Sequence, residues 1–268
     1  DINKSVFSQA DFTAFRRQLK LETDFLKDDL TAGRFDECNY HVGFELEGWL
    51  LDQQLRPLPL NDSFVRACHN DKLTLELAKF NFEINGAHHP ISRDYFHIIE
   101  YELSELWKQC RKRAQELNGD IAMIGTLPTA VQSDFSLPNM SNRQRFRALH
   151  KQIDNYRRGH PTSVHIEGED IFDCDDVDIM FESAATSFQM HIQVPLKHAV
   201  DAYNNALALS APMVAATCNS PFLLGKDLWS ETRITIFEQA LAIRDPEQPN
   251  AKRLPYVTFG TDYCKNSI

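Results

Sequence analysis

His41-Val42-Gly43-Phe44-Glu45-Leu46-Glu47 alternates apolar and polar side chains. On a strand, successive side chains point to opposite faces. Phe44 and Leu46 therefore go one way and Glu45 and Glu47 the other. One face reads as core and the other as a carboxylate pair, with the strand running from His41 to about Asp52.

Two further segments repeat the arrangement. Phe188-Gln189-Met190-His191-Ile192-Gln193-Val194 puts Phe188, Met190, Ile192 and Val194 in an apolar row and Gln189, His191 and Gln193 in a polar one. In the other segment, Leu73, Leu75 and Leu77 lie at odd positions but Phe80, Phe82 and Ile84 at even ones. A bulge near Ala78-Lys79 would produce that slip, and would bring Glu76 and Glu83 to the same polar face.

Carboxylates gathered on one face repel. At ~4 Å and an effective dielectric of about 20, two unit charges interact by roughly 4 kcal/mol. A cation or a proton must offset this. Hard oxygen donors suit magnesium or manganese, whereas no Cys or His pair has zinc-ligand spacing.

Composition narrows the class. The chain has 268 residues, is 43% hydrophobic and carries a formal net charge of −10, so it can bury a sizeable core and does not look like a general nucleic-acid binder. Residues 1–268 read as one large domain, or one domain plus a lobe. A chain that begins at Asp1 without a methionine also reads as a portion of something longer. Cys38, Cys68, Cys110, Cys174, Cys218 and Cys264 are scattered, which suits reduced thiols in a cytoplasmic protein. The apolar run from Ala206 to Leu224 is interrupted by Ser210, Pro212, Asn219, Ser220 and Pro221. It reads as a buried helix ending in a loop, not a membrane span.

Helical spacing of Phe12, Phe15, Leu19, Phe25 and Leu26 predicts an amphipathic helix over 9–32. A second helix, capped by Ser92, carries Tyr95, Ile99, Leu103, Leu106 and Cys110 as a stripe that should lie across the apolar side of the sheet. His88-His89 reads as loop surface. A basic helix, Arg143 to Arg158, reads as a solvated face paired with the acidic segment from Glu167 to Asp178. Strands and helices mix without regular alternation, so an α+β domain fits best, with helices on one face of an antiparallel sheet.

These motifs come in a telling order. Gly43-Phe44-Glu45-Leu46-Glu47, Glu76-Leu77 leading to Phe82-Glu83-Ile84-Asn85, Ile124-Gly125-Thr126-Leu127-Pro128, Arg145-Phe146, Gln189-Met190-His191-Ile192-Gln193 and Asn219-Ser220-Pro221-Phe222 with Gly225 and Arg233 follow one another. Together, over about 40–240, they resemble the glutamate-cysteine ligase and carboxylate-amine ligase family of the glutamine-synthetase superfamily. The resemblance implies a glutamine-synthetase-like antiparallel sheet with the active site on the face opposite the helices.

It also implies an ATP- and magnesium-dependent ligase, with manganese as the alternative metal. Such an enzyme phosphorylates the side-chain carboxylate of glutamate and lets an amine, cysteine in the best-fitting case, displace the phosphate, as in glutathione biosynthesis. Its partners would be small molecules, with an oligomer open. Carried over, the metal set is Glu45, Glu47, Glu76, Glu83 and His191. Arg233 and Arg145 become contacts for phosphate or carboxylate, and Asn219, Ser220, Gln189 and Gln193 would border the nucleotide. This chain departs from the family in its single His191 between two glutamines, and a further Glu-x-Arg strand is not matched beyond Arg233. A ligase with another acid or amine, and a regulatory protein that binds nucleotide without turnover, therefore stay open.

Overall fold

The computed structural model describes residues 2–35, 39–160, 162–242 and 262–265. Cys38 lies outside them. In chain order the helices are α1 (Gln9–Thr31), α2 (Asn61–Cys68), α3 (Tyr95–Glu116), α4 (Gln144–Tyr156), α5 (Ala199–Thr217) and α6 (Arg233–Ala240). The strands are β1 (His41–Leu51), β2 (Leu73–Leu75), β3 (Asn81–Asn85), β4 (His89–Pro90), β5 (Asp120–Ala122), β6 (Thr162–Glu167), β7 (Ile171–Val177), β8 (Phe188–Gln193), β9 (Phe222–Leu223) and β10 (Lys226–Asp227). The fold is α+β with an antiparallel main sheet, as the sequence predicts.

β1 is the centre of that sheet. On one side it pairs with β3, and at its start with β4; on the other it pairs with β8 along its first half and with β5 at its end. β2 adds to the outside of β3.

The predicted bulge is instead a chain reversal. β2 and β3 form an antiparallel hairpin with Leu73 opposite Ile84, Thr74 opposite Glu83 and Leu75 opposite Phe82. The apolar phase slips because the chain turns back on itself between residues 76 and 80. Both leucines of β2 thereby land on the same face as the Phe82 and Ile84 they oppose, while Ala78 and Phe80 turn away into a separate core.

On one face of the sheet, Val42, Phe44, Leu46, Leu50, Phe82 and Ile84 meet Tyr95, Ile99, Leu106 and Cys110 of α3 and Phe64 of α2. α3 crosses the apolar side as its stripe requires. Each large side chain so buried contributes roughly 1.5–3 kcal/mol. Ser92 starts this helix with its carbonyl, which accepts from Tyr95 N, rather than with its hydroxyl, and Asp94 occupies the cap position.

The opposite face is divided. Its first half carries Glu45 and Glu47, but from Gly48 onward β1 is buried on both sides. There Trp49 and Leu51 enter a second core with Phe80, Phe135, Phe146, Phe172, Phe181 and Ile236. The Trp49 and Phe80 rings stack with centroids 5.5 Å apart, and Trp49 Nε1 donates to Ile124 O at 2.9 Å. The β6–β7 hairpin and α6 build this core's outer wall, so the acidic half of the face ends against a greasy shelf.

Three expectations of burial need correction. The apolar row of β8 is exposed, with Ile192 at 59%. α5 ends at Thr217, so the run from Ala206 does close a helix before the loop at Asn219, yet none of its residues is buried. Both carry the right pattern, but the contacts among the described residues, such as Phe188 on Phe44 and Asn204 with Cys264, leave most of their apolar side chains uncovered. Arg157 errs in the other direction: it is buried and donates to Val177 O, Ala240 O and Ala242 O, tying the end of α4 to β7 and to the end of α6.

α1 forms as predicted, closed at its start by a capping box between Ser8 and Asp11, with its apolar row exposed. His89 is not loop surface: it pairs with β1 and sits 3.0 Å from Glu102. No helix among the described residues is long and apolar enough to cross a membrane.

Candidate functional site

The sheet register assembles the site. Glu47 stands directly opposite Glu83 on the β1–β3 ladder, and Glu83 opposite Thr74 on the β2–β3 ladder. Glu76 follows Thr74 by two residues, just past the end of β2, and so comes to the same side. A carboxylate oxygen from each of Glu47, Glu76 and Glu83 lies within 4.8 Å of the others. β1 and β3 thus supply one acid each, and the turn that follows β2 supplies the third.

Neighbours hold the three in place. Glu83 Oε1 accepts from Thr74 Oγ1 at 2.9 Å and from Asn85 Nδ2 at 2.8 Å. Glu47 Oε2 accepts from Ser187 N at 2.8 Å, while Glu47 N donates to Ser187 O at 2.9 Å. Ser187 immediately precedes β8, so the carboxylate is clamped by the strand on the far side of β1. Glu76 Oε2 accepts only a long bond of 3.3 Å from the following Leu77 N.

Their electrostatics follow from the crowding. Burial pushes the Glu76 carboxyl up to about 8, with the charges of Glu47 and Glu83 adding to the rise. Burial likewise pushes Glu47 up to about 7 against the pull of its Ser187 hydrogen bonds, with Glu83 and Glu182 adding to it. Glu182 lies in the 3-10 turn Ile179–Ala184 that leads toward β8, and burial raises its carboxyl as well. A partly buried group of acids that retains protons near neutrality suits a hard divalent cation. All its donors are oxygens, which agrees with magnesium or manganese and not with a thiolate-preferring ion.

Glu45 and His191 form a separate pair next to this trio. His191 Nε2 lies 3.2 Å from Glu45 Oε2; His191 is exposed, while Glu45, like the three acids, is half-buried. Gln189 faces Glu45 across the β1–β8 ladder and donates to Ser187 Oγ at 3.1 Å. Gln193 faces His41 farther out on the same exposed strand.

The two arginines differ. Arg145, at the start of α4, donates to Leu75 O at 3.2 Å and lies over the Phe146 ring at 4.5 Å. Its positive charge pulls down the Glu76 carboxyl, against burial. Arg233 is held at the back of the site: Nε and Nη2 donate to Glu231, and Nη1 donates to Thr186 O at 2.8 Å. It packs against Gly125, where an added Cβ would come within 2.8 Å of Arg233 Nε.

Ser220 is wholly buried, and its hydroxyl donates to Glu231 Oε1 at 2.9 Å. That places it as a strut for the Glu231–Arg233 pair, not on a surface open to a nucleotide. Asn219 is exposed, and its carbonyl accepts from Gly125 N at 3.0 Å.

Sequence reasoning missed four participants. Thr74 becomes visible once β2 and β3 are read as a hairpin, because it then faces Glu83. Ser187 could have been found as the last polar position before β8. Glu231 stands only two residues before Arg233, but spacing alone does not reveal that it is that arginine's ion partner. Glu182 carries no sequence signal, since it sits in an irregular turn.

No curated protein sequence matches this chain. Among solved structures it is similar to the glutamate–cysteine ligase of Francisella tularensis in complex with AMP, at 13% identity and a TM-score of 0.36. The likeness covers 66% of this chain and 30% of that one, so the chain spans under a third of that protein's length. Residues 41–253, well over half of the sequence, match glutamate-cysteine ligase family 2 and take in β1, the β2–β3 hairpin and β8 with all three clustered acids. The chain belongs to glutamate-cysteine ligase family 2.

Proposed function

We propose that this protein is a magnesium- and ATP-dependent ligase that forms an amide between the side-chain carboxylate of glutamate and an amine, with cysteine as the amine. The observation that carries the reading is the meeting of Glu47 on β1, Glu83 on β3 and Glu76 just after β2 within 4.8 Å, in a chain whose family is named for this reaction. Glu45 and His191 extend the polar face beside them.

When bound, a divalent cation would offset the negative charge of the transferring phosphoryl group. The chain's own residues do the positioning. Glu47 is fixed by Ser187, Glu83 by Thr74 and Asn85, and the second core excludes water from the inner end of the acidic face. Arg145, whose charge acts on Glu76, would meet a phosphate or carboxylate oxygen. Arg233 keeps N–H donors beyond those given to Glu231 and Thr186, and could add one from the back of the site. Gln189 and Gln193 on the exposed β8, with the exposed Asn219, would border the nucleotide. Attack by the amine on a glutamyl phosphate releases phosphate and needs no protein nucleophile. A cytoplasmic setting, in which a cysteine substrate stays reduced, goes with this reading.

ADP release in the presence of magnesium and glutamate, with the amine varied, tests it. Release that requires cysteine supports the proposal. Stimulation by a different amine would replace the substrate but keep the ligase, and nucleotide binding with no turnover for any amine would overturn the enzyme.

A further inference from the structure

The Asn81 side chain is 2% exposed, and neither its Oδ1 nor its Nδ2 has a hydrogen-bond partner. Leaving buried polar atoms unpaired costs roughly 1–3 kcal/mol each. The backbone of Asn81 is well served, since its carbonyl accepts from Asn61 Nδ2 at 2.9 Å and its N–H donates to Ala78 O at 3.0 Å. The unmet demand is therefore confined to the carboxamide.

Its position says what could meet that demand. Asn81 precedes Glu83 by two residues on β3, which puts both side chains on one face. Across β1 it stands opposite Trp49, two residues from Glu47. Across the hairpin, continuing past Leu75 opposite Phe82, it comes level with Glu76. Each of the three clustered acids is thus its neighbour along or across the strands, and Trp49 closes the side away from them.

We propose that Asn81 is a fourth side chain of the cation site, its Oδ1 turned toward a bound divalent ion or one of that ion's waters. A neutral carboxamide suits this place. It adds an oxygen donor at the dry end of the site without adding a fourth charge to acids that already repel one another. The inference rests on the metal-site reading of Glu47, Glu76 and Glu83 and extends it by one residue.

Manganese titration, followed by electron paramagnetic resonance of the free ion, reads the site without any turnover. Asn81→Leu, which keeps the side chain's size, should weaken Mn²⁺ binding about 10–100-fold, while its melting temperature in EDTA stays at or above that of the unaltered protein. Wild-type affinity in Asn81→Leu would overturn the role of Asn81 and leave the three acids standing. Failure of the unaltered protein to bind Mn²⁺ would overturn the metal site itself. Should Asn81→Leu not fold, Asn81→Asp is the second test: above about pH 8, where the acids are ionised, it should bind Mn²⁺ at least as tightly as the unaltered protein, and weaker binding there would refute the proposal.

Discussion

Glu47 and Glu83 face each other directly across the β1–β3 ladder, two like charges at a position where sheets ordinarily place opposite charges or apolar pairs. The chain tolerates this because Ser187 holds one carboxylate and Thr74 and Asn85 hold the other. Replacing either acid with its amide should relieve the repulsion and remove an oxygen ligand together. Glu47→Gln is expected to melt higher than the unaltered protein in EDTA at about pH 8.5, yet to bind Mn²⁺ at least ~100-fold more weakly and to lose magnesium-dependent ADP release. A lower melting temperature with intact Mn²⁺ binding would contradict it.

The raised acids give stability a pH dependence of definite sign. Glu47 and Glu76 keep their protons to about 7 and about 8 in the folded chain, against an ordinary 4.5. Between those limits the folded state binds more protons than the unfolded state. The stabilising contribution is complete below about pH 4.5 and is lost as pH rises through 7 to 8. Urea unfolding in EDTA should show this decline, and saturating Mg²⁺ should reverse it. Binding the cation should also release protons near neutrality, which calorimetry in buffers of different ionisation enthalpy would detect.

Glu45→Gln offers a contrast. Its carboxylate pairs with His191 at 3.2 Å and lies outside the trio. The expected loss of Mn²⁺ affinity is smaller than for Glu47→Gln, and His191→Ala should produce a loss of similar size. Equal, large losses for Glu45→Gln and Glu47→Gln would merge the two groups into one site.

Gly48 sits opposite Phe82, one step from the Glu47–Glu83 pair, and an added Cβ would come within 2.6 Å of the Phe82 ring. Gly48→Ala should cost roughly 1–3 kcal/mol by overpacking, measured by urea denaturation. It should also weaken Mn²⁺ binding by spreading β1 from β3. Unchanged stability would show that the ring moves aside freely.

Arg157→Leu tests the second core at a distance from the acids. Its loss strands up to three carbonyl acceptors, at Val177, Ala240 and Ala242. A destabilisation of about 2–4 kcal/mol is expected, with Mn²⁺ affinity retained in the folded fraction. Loss of binding without loss of stability would tie this residue to the site instead.

Alternation made much of the site legible. It placed Glu45 and Glu47 away from Phe44 and Leu46, and it set His191 between two glutamines on the same side. It could not tell a bulge from a reversal between Glu76 and Phe80, because both shift the apolar phase by one; only pairing partners distinguish them. Nor could it show that the polar face of β1 becomes core at Trp49. That change depends on the β6–β7 hairpin and α6, which arrive more than a hundred residues later in the sequence. The burial expected for β8 and α5 failed for a related reason: an apolar pattern specifies a surface able to be covered, not the element that covers it.

The hairpin also orders how the acids come together as the chain collapses. Glu76 and Glu83 are joined by closing one short turn, an event on the microsecond scale for a hairpin. The Ser187 clamp on Glu47 spans 140 positions, and ring closure over that length carries a far larger entropic barrier. Two acids can therefore be neighbours early, while the third is locked only when β8 docks on β1, so capture of a cation at the proposed site would be a late signature of correct folding.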